Sequence, residues 1–311
     1  MKVYIGVTDG SWYNYLEENR PDEVNFWQPG GKQVFRALEP NDMFLFKLHS
    51  PLDYVVGGGF FVRHSFLPVS LAWEAFGDKN GMADYFSLVQ AIHRYRKSTS
   101  KTEPDPIIGC IILTEPFFFK RPDWIPVPQD WKPNIVKGKS YDTNSFSGQR
   151  LIQQVEERLK QIRITGFDSD TGFLESAGRY GSEQITYPRL GQGAFRVVVT
   201  EAYHRRCAIS GERTLPVLEA AHIQPYSQEG PHLSNNGLLL RQDLHTLFDR
   251  GYVTISEDLH IAVSKRIKED YGNGREYYSF HGRKLVEIPE KALDRPSAQF
   301  IQWHNEKVFL G

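Results

Sequence analysis

The 311-residue chain holds only two cysteines, Cys110 and Cys207, which lie far apart and without CxxC spacing. That supply excludes a disulfide framework and a zinc site built from cysteines. No stretch of 18 apolar residues occurs, and the opening MKVYIGVTDGSWYNYL has no apolar segment of the signal-peptide kind. A spanning helix and a secretory leader are therefore not expected, and a soluble protein of the reducing cytoplasm, away from membranes, is. Charge of one sign is also missing, since 37 Lys+Arg stand against 38 Asp+Glu for a net charge of −1. Contact with a polyanion must then use local patches rather than a global positive field.

Aromatic residues are plentiful, with 20 Phe, 15 Tyr and 6 Trp in a chain that is 40% apolar. The length predicts two domains of α+β class, residues 1–140 and 191–311, joined by a linker with a helix over 141–190. KVYIGV, residues 2–7, alternates as a strand, and Trp12, Tyr13 and Tyr15 follow in a polar segment that reaches a turn at Pro21-Asp22. Strands are expected over 43–48, 54–63 and 107–113, and helices over 71–76 and 82–97. Gly57, Gly58 and Gly59 inside the second of these strands mark a bulge or the close approach of a backbone or ligand. Residues 121–148, with four prolines, read as an ordered connector. In QRLIQQVEERLKQ, residues 149–161, Leu151, Ile152, Val155 and Leu159 share a helical face, so a helix is expected to join the domains. The following piece is rich in Gly, Ser and Asp, and its Asp168 and Asp170 lack the glycine and glutamate of a calcium loop.

Phe26-Trp27 before a Pro-Gly-Gly break, then LEPNDMFLFK and a strand with VVGGGFF, resembles the EVE and PUA superfamily of small β-barrel domains over about residues 1–120. The resemblance implies a barrel with helices that reads a modified base flipped from the duplex. A flipped base needs flat rings to stack on and a few fixed polar groups at its edge. Trp27 is the first candidate for such a pocket, with Trp12, Tyr13, Phe26 and Phe60 beside it; the competing role for each is a place in the core. Arg94, Arg96 and Lys97, followed by Lys101, are candidates to lie along phosphates, or else form a solvated helix end.

The second domain opens with a helix on which Phe195, Val198, Val199 and Tyr203 share a face. A hairpin is expected to turn near Gly211 and deliver Glu219 to His222 on its second strand. A loop then leads to Asn236-Gly237, and LLLRQDLHTLFDRG places Leu240, Leu244, Leu247 and Phe248 on one side of a helix that ends at Gly251. Strands over 252–267 and 277–289 and a terminal helix with Phe300, Trp303 and Phe309 complete the domain.

This strand, loop and helix resemble the HNH (ββα-metal) endonucleases from about Gly191 to Ile255. The separations of Asn236 and His245 from His222, 14 (236 − 222) and 23 (245 − 222), fit that family. The resemblance implies that His222 takes a proton from water, that Asn236 braces the loop, and that His245 ligates one divalent cation at the scissile phosphate. Mg²⁺ is the default, with Mn²⁺ or Ni²⁺ suited to an imidazole ligand. Many members place a second ligand just before the base, where this chain has Ala221. Asp249, four residues after His245 on one helical face, is favoured as the replacement, and Glu219 on the strand is the alternative. Cys207 and Ser210 stand where zinc-braced members carry a CxxC pair, so no structural zinc is expected. Arg241 is a candidate phosphate contact, as are Lys265, Arg266, Lys268, Arg283 and Lys284; His204 and His232 have no place in the pattern and are candidate DNA contacts.

Together these features predict a modification-dependent DNA restriction endonuclease acting on double-stranded DNA that contains modified cytosine, as a homodimer because a duplex break needs two cuts. Two alternatives stand beside it: an HNH nuclease whose first domain senses something else, and a DNA-binding protein with a silent HNH fold.

Overall fold

The computed structural model describes residues 2–96, 103–164 and 190–311. Lys97, Lys101, Asp168 and Asp170 lie outside the described residues. The chain divides into two compact units, Met1–Ala194 and Phe195–Gly311.

The first unit is built on one mixed sheet. Its strands are β1 (Lys2–Thr8), β2 (Glu23–Gln28), β3 (Met43–Leu48), β4 (Tyr54–Pro68), β5 (Ile107–Phe118), β6 (Ile125–Pro126) and β7 (Gly138–Asp142). They run in the order β2-β5-β4-β3-β1-β7, with β6 paired to β4. Among the described residues the end strands β2 and β7 do not pair with each other. Every residue of β3 is buried. Met43 and Leu45 join Val3, Ile5 and Phe117 on one face, while Phe44 and Phe46 join Leu16, Val24 and Ile111 on the other. A strand covered on both sides needs a continuous apolar run, which explains MFLFKL. Its one cation, Lys47, is buried against Asp53 at 2.5 Å and lies over the Trp131 ring.

Helices α1 (Gly10–Asn19) and α4 (Phe146–Ile164) supply side chains to opposite faces of this sheet. The sequence gives no expectation of α1, yet Trp12, Tyr13 and Leu16 at i, i+1 and i+4 are its buried stripe. In α4 the residues expected to share a face do so, with Leu151, Val155 and Leu159 buried in the first unit's core. Between β4 and β5 lie α2 (Val69–Phe76) and α3 (Tyr85–Arg96).

β4 and β5 both outrun their expected ends. The register between them shifts at Gly58/Phe60 and again at Phe61/Arg63. A Cβ on Gly57 would stand 2.2 Å from Phe117 O, and one on Gly58 would stand 2.6 Å from Phe44 O. Close backbone approach is thus the reason for the glycine run. The proline-rich connector also contains β7, antiparallel to β1 with Val3 opposite Tyr141. Only Tyr141 of that strand is buried, so no apolar alternation betrays it.

The second unit takes α5 (Gln192–Ala202) from Phe195 onward. It continues through β8 (Leu218–His222), β9 (Gly237–Arg241), α6 (Gln242–Asp249), β10 (Val253–Ile255), β11 (Ile261–Val263), α7 (Arg266–Tyr271), α8 (Arg275–Tyr278) and α9 (Ala298–Lys307). The hairpin expected at Gly211 does not form; β8 instead pairs with β9, antiparallel, with His222 opposite Gly237. GLLLR, assigned from sequence mostly to the helix, is therefore a strand. A short apolar run buried on both sides reads the same way for either element. The segment 277–289 likewise holds the end of α8 and an isolated bridge from His260 to Lys284 in place of a paired strand.

Helix α6 ends in a Schellman turn: Gly251 takes φ +74°, Tyr252 N–H donates to Leu247 O, and Gly251 N–H donates to Phe248 O. The far side of α6 rests on α9. The His304 ring stacks on Phe248 at 3.9 Å and its Nε2–H donates to Phe248 O at 3.1 Å, with Nδ1 2.8 Å from Thr254 Oγ1. Burial pushes the His304 imidazole down to about 4. Its folded value lies below the ordinary 6.5, so the unfolded chain binds the extra proton first. Stability from this group is full above pH 6.5 and is lost as the pH falls toward 4. Thermal unfolding followed from pH 7 to 4 is expected to show a falling midpoint, with a shallower fall in His304→Gln even if that variant is less stable at pH 7.

Candidate active site

Strand β8 delivers Glu219 and His222, and α6 follows β9 without a connecting loop, so the β8–β9 register sets where His245 stands relative to both. The 14 residues between the strands, Ile223–Asn236, form a loop closed by one side chain. Asn236 is fully buried. Its Oδ1 accepts from Gln224 N–H at 2.9 Å, and its Nδ2 donates to Gln224 O and Pro231 O, each at 2.9 Å. Its backbone carbonyl accepts from Ile223 N–H as well. The amide thus ties the first residues after β8 to the end of the loop.

His222 is held by rings. Phe195 of α5 stacks on its face at 3.8 Å and 11°, and His232 Nδ1 lies 2.9 Å from its Nε2. The approach of Phe195 depends on Gly237, opposite His222 in the ladder: a Cβ there would stand 2.5 Å from Val199 Cγ2 and 3.0 Å from the Phe195 ring. Burial, with lesser contributions from the charges of His232 and His245, pushes His222 down to about 4, so it is neutral at pH 7.

His245 has the opposite surroundings. Its Nδ1 is 2.6 Å from Glu219 Oε2, and its Nε2 is 3.3 Å from Asp249 Oδ2. Burial raises the Asp249 carboxyl, with His245 opposing and Glu219 adding to the effect. An imidazole with two carboxylates has the chemistry of a divalent-cation site. The carboxylates sit at different ring nitrogens, however, and among the described residues no three such donors are grouped to hold an ion. His245 with either carboxylate would offer a cation one nitrogen and one oxygen ligand, the other carboxylate orienting the ring.

The remaining candidates are placed as follows. Trp12 and Tyr13 lie on α1 in the core; Trp12 Nε1–H donates to Asn80 O and the Tyr13 hydroxyl to Phe119 O. Phe60 packs on the opposite face of the sheet. Phe26 and Trp27 are half-buried at the end of β2, with Phe26 edge-on to Trp12 and Trp27 donating to the same Asn80 carbonyl at 2.9 Å. The structure brings Trp12, Phe26 and Trp27 together around one loop and leaves Phe60 apart. Arg96 is engaged by Pro29 O, Ile107 O and Glu103, while Arg94 lies over the Tyr95 ring. Arg241 forks onto Asp243 at 2.6 and 2.7 Å and reaches Glu276. Spacing alone does not reveal these partners of Arg96 and Arg241. Cys207 Sγ accepts N–H groups from Ser210 and Arg241, and His204 pairs with Glu287. Sequence reasoning gives Phe195 no part in the site and His232 only that of a candidate DNA contact; the one available signal is that His232 falls inside the loop that Asn236 closes.

No curated protein matches the chain. Among solved structures, ASCH from Zymomonas mobilis aligns with 49% of this chain and 94% of its own length at 9% identity and a TM-score of 0.33, and a point mutant of it with 49% and 98% at 10% and 0.34. The modification dependent TagI restriction endonuclease aligns with 92% of this chain and 75% of its own at 14% identity and a TM-score of 0.27. Likenesses at these scores carry no argument about fold or chemistry. The match that bears on chemistry is one of sequence: residues 207–256, the segment that holds Glu219, His222, Asn236, His245 and Asp249, match the model of the HNH endonuclease family.

Proposed function

We propose that the chain is a metal-dependent endodeoxyribonuclease of the restriction type, whose second unit hydrolyses a phosphodiester and whose first unit reads a modified base, cytosine being the base concerned. The observation that carries the hydrolytic half is His222, a neutral imidazole fixed in one orientation within the HNH-matched segment. Its pKa near 4 describes the protein without substrate. A phosphodiester anion beside the ring raises that value and strengthens the base in the complex.

In the reaction, a water oxygen attacks phosphorus, His222 takes the water's proton, and the bond from phosphorus to the 3′ oxygen breaks. His245 with Asp249 or Glu219 would hold a divalent cation, which would neutralise charge on the phosphate and the leaving oxygen; Mg²⁺ is the default and Mn²⁺ or Ni²⁺ suit the imidazole. Asn236 cannot titrate; it keeps the loop beside His222 closed at any working pH. The reading half is supported by Phe26 and Trp27, half-buried rings at the end of β2. A double-strand break calls for two copies of this site, hence a homodimer on duplex DNA in the cytoplasm.

Nicking of supercoiled plasmid tests the hydrolytic half: His222→Ala is expected to lose roughly 10²- to 10⁴-fold in rate, the range of a general base, and intact cleavage would sink the assignment. A panel of phage DNAs bearing methyl-, hydroxymethyl- and glucosylated cytosine is expected to be cut in preference to plain DNA; equal cutting removes the reader role. Calorimetric titration with Mn²⁺ ranks the carboxylates: of Glu219→Gln and Asp249→Asn, the ligand's variant is expected to weaken binding more than the orienter's, whose loss costs roughly 10- to 100-fold. Full Mn²⁺ affinity in both variants would place the ion elsewhere.

A further inference from the structure

The loop between His222 and Asn236 carries a histidine that the HNH spacing does not use, and the structure gives it a partner. We infer that His232 is the positioning residue of the base: its Nδ1 accepts the Nε2–H of His222, which selects the tautomer whose Nδ1 lone pair receives the proton of the attacking water. The inference rests on the nuclease reading above.

The argument is one of proton counting. The two ring nitrogens stand 2.9 Å apart, a hydrogen bond that needs a single proton between them. If His232 donates, the Nε2 lone pair of His222 is consumed and the ring's own proton sits on Nδ1, so a neutral His222 has no lone pair left for water. If His222 donates, its Nδ1 lone pair is available, and among the described residues no hydrogen bond occupies Nδ1. Only the second arrangement leaves a base, because the hydrogen bond at one ring nitrogen fixes the state of the other.

The surroundings hold that arrangement. Phe195 on the face of His222 prevents the ring from tipping away, and Tyr226 stacks on His232 at 4.7 Å and 8° from the solvent side. The loop bearing both Tyr226 and His232 is closed by Asn236. Among the described residues, the charged groups that act on His222 are His232 and His245. A neutral imidazole acceptor orients the base without the negative charge of an Asp or Glu orienter, which would favour protonation of the resting base.

The test uses the full chain. His232→Phe keeps a ring against Tyr226 and removes the acceptor; His232→Asn offers an amide oxygen close to the lost Nδ1. In metal-free protein, the ¹⁵N shifts of the His222 ring, assigned by their loss in His222→Ala, are expected to report Nε2–H in the wild type and a tautomer mixture in His232→Phe. Plasmid nicking is expected to fall roughly 10- to 100-fold in His232→Phe, the usual cost of losing an orienting partner, and to recover most of that in His232→Asn. Recovery by Asn also separates positioning from mere folding should His232→Phe melt early. An Nδ1–H tautomer in the wild type, or equal nicking by wild type and His232→Phe, overturns the inference. A wild type that shows Nε2–H yet nicks no DNA with Mg²⁺, Mn²⁺ or Ni²⁺ overturns the nuclease reading instead and supports the tautomer assignment.

Discussion

Inside the second unit, the side-chain amide of Asn236 uses both its N–H groups and its carbonyl on the backbone of the loop that precedes it, at Gln224 and Pro231. A buried amide is tolerated only when its polar atoms are paired, and a loop's backbone groups carry the same requirement. Here each meets the other's need. Because Asn236 is also the residue before β9, closing the loop fixes the β8–β9 register, which sets His222 across from Gly237 and starts α6 at a fixed point. The three histidines of the site depend on that closure.

Two of those histidines differ in what surrounds them. His222 faces an aromatic ring and other imidazoles; His245 is bracketed by Glu219 and Asp249. Burial keeps the first neutral at pH 7, whereas the second has a carboxylate at each ring nitrogen.

How much was legible in the sequence depended on whether a residue's partners were local. Leu151, Val155 and Leu159 declared their helix because a helical face repeats along the chain. The αL turn at Gly251 follows the same logic, since a helix end is a local event. The helix α1 was hidden because its buried stripe, Trp12, Tyr13 and Leu16, spans barely more than one turn. GLLLR carried no period to separate strand from helix, and β7 carried no apolar pattern at all. The engagement of Arg96 and Arg241 by carbonyls and carboxylates, and of His232 by His222, is set by tertiary contacts that no spacing encodes. At the candidate site the motif residues could be listed from sequence, whereas the groups that orient them could not.

Gly237 has a consequence for the timing of order. Because it lacks a side chain, Phe195 can lie flat on His222, and the imidazole loses its rotational freedom when the unit folds. The entropy of fixing that ring is spent once, in folding, and is not charged again at each encounter with a substrate. The second unit therefore carries the His222 imidazole already aimed before anything reaches it.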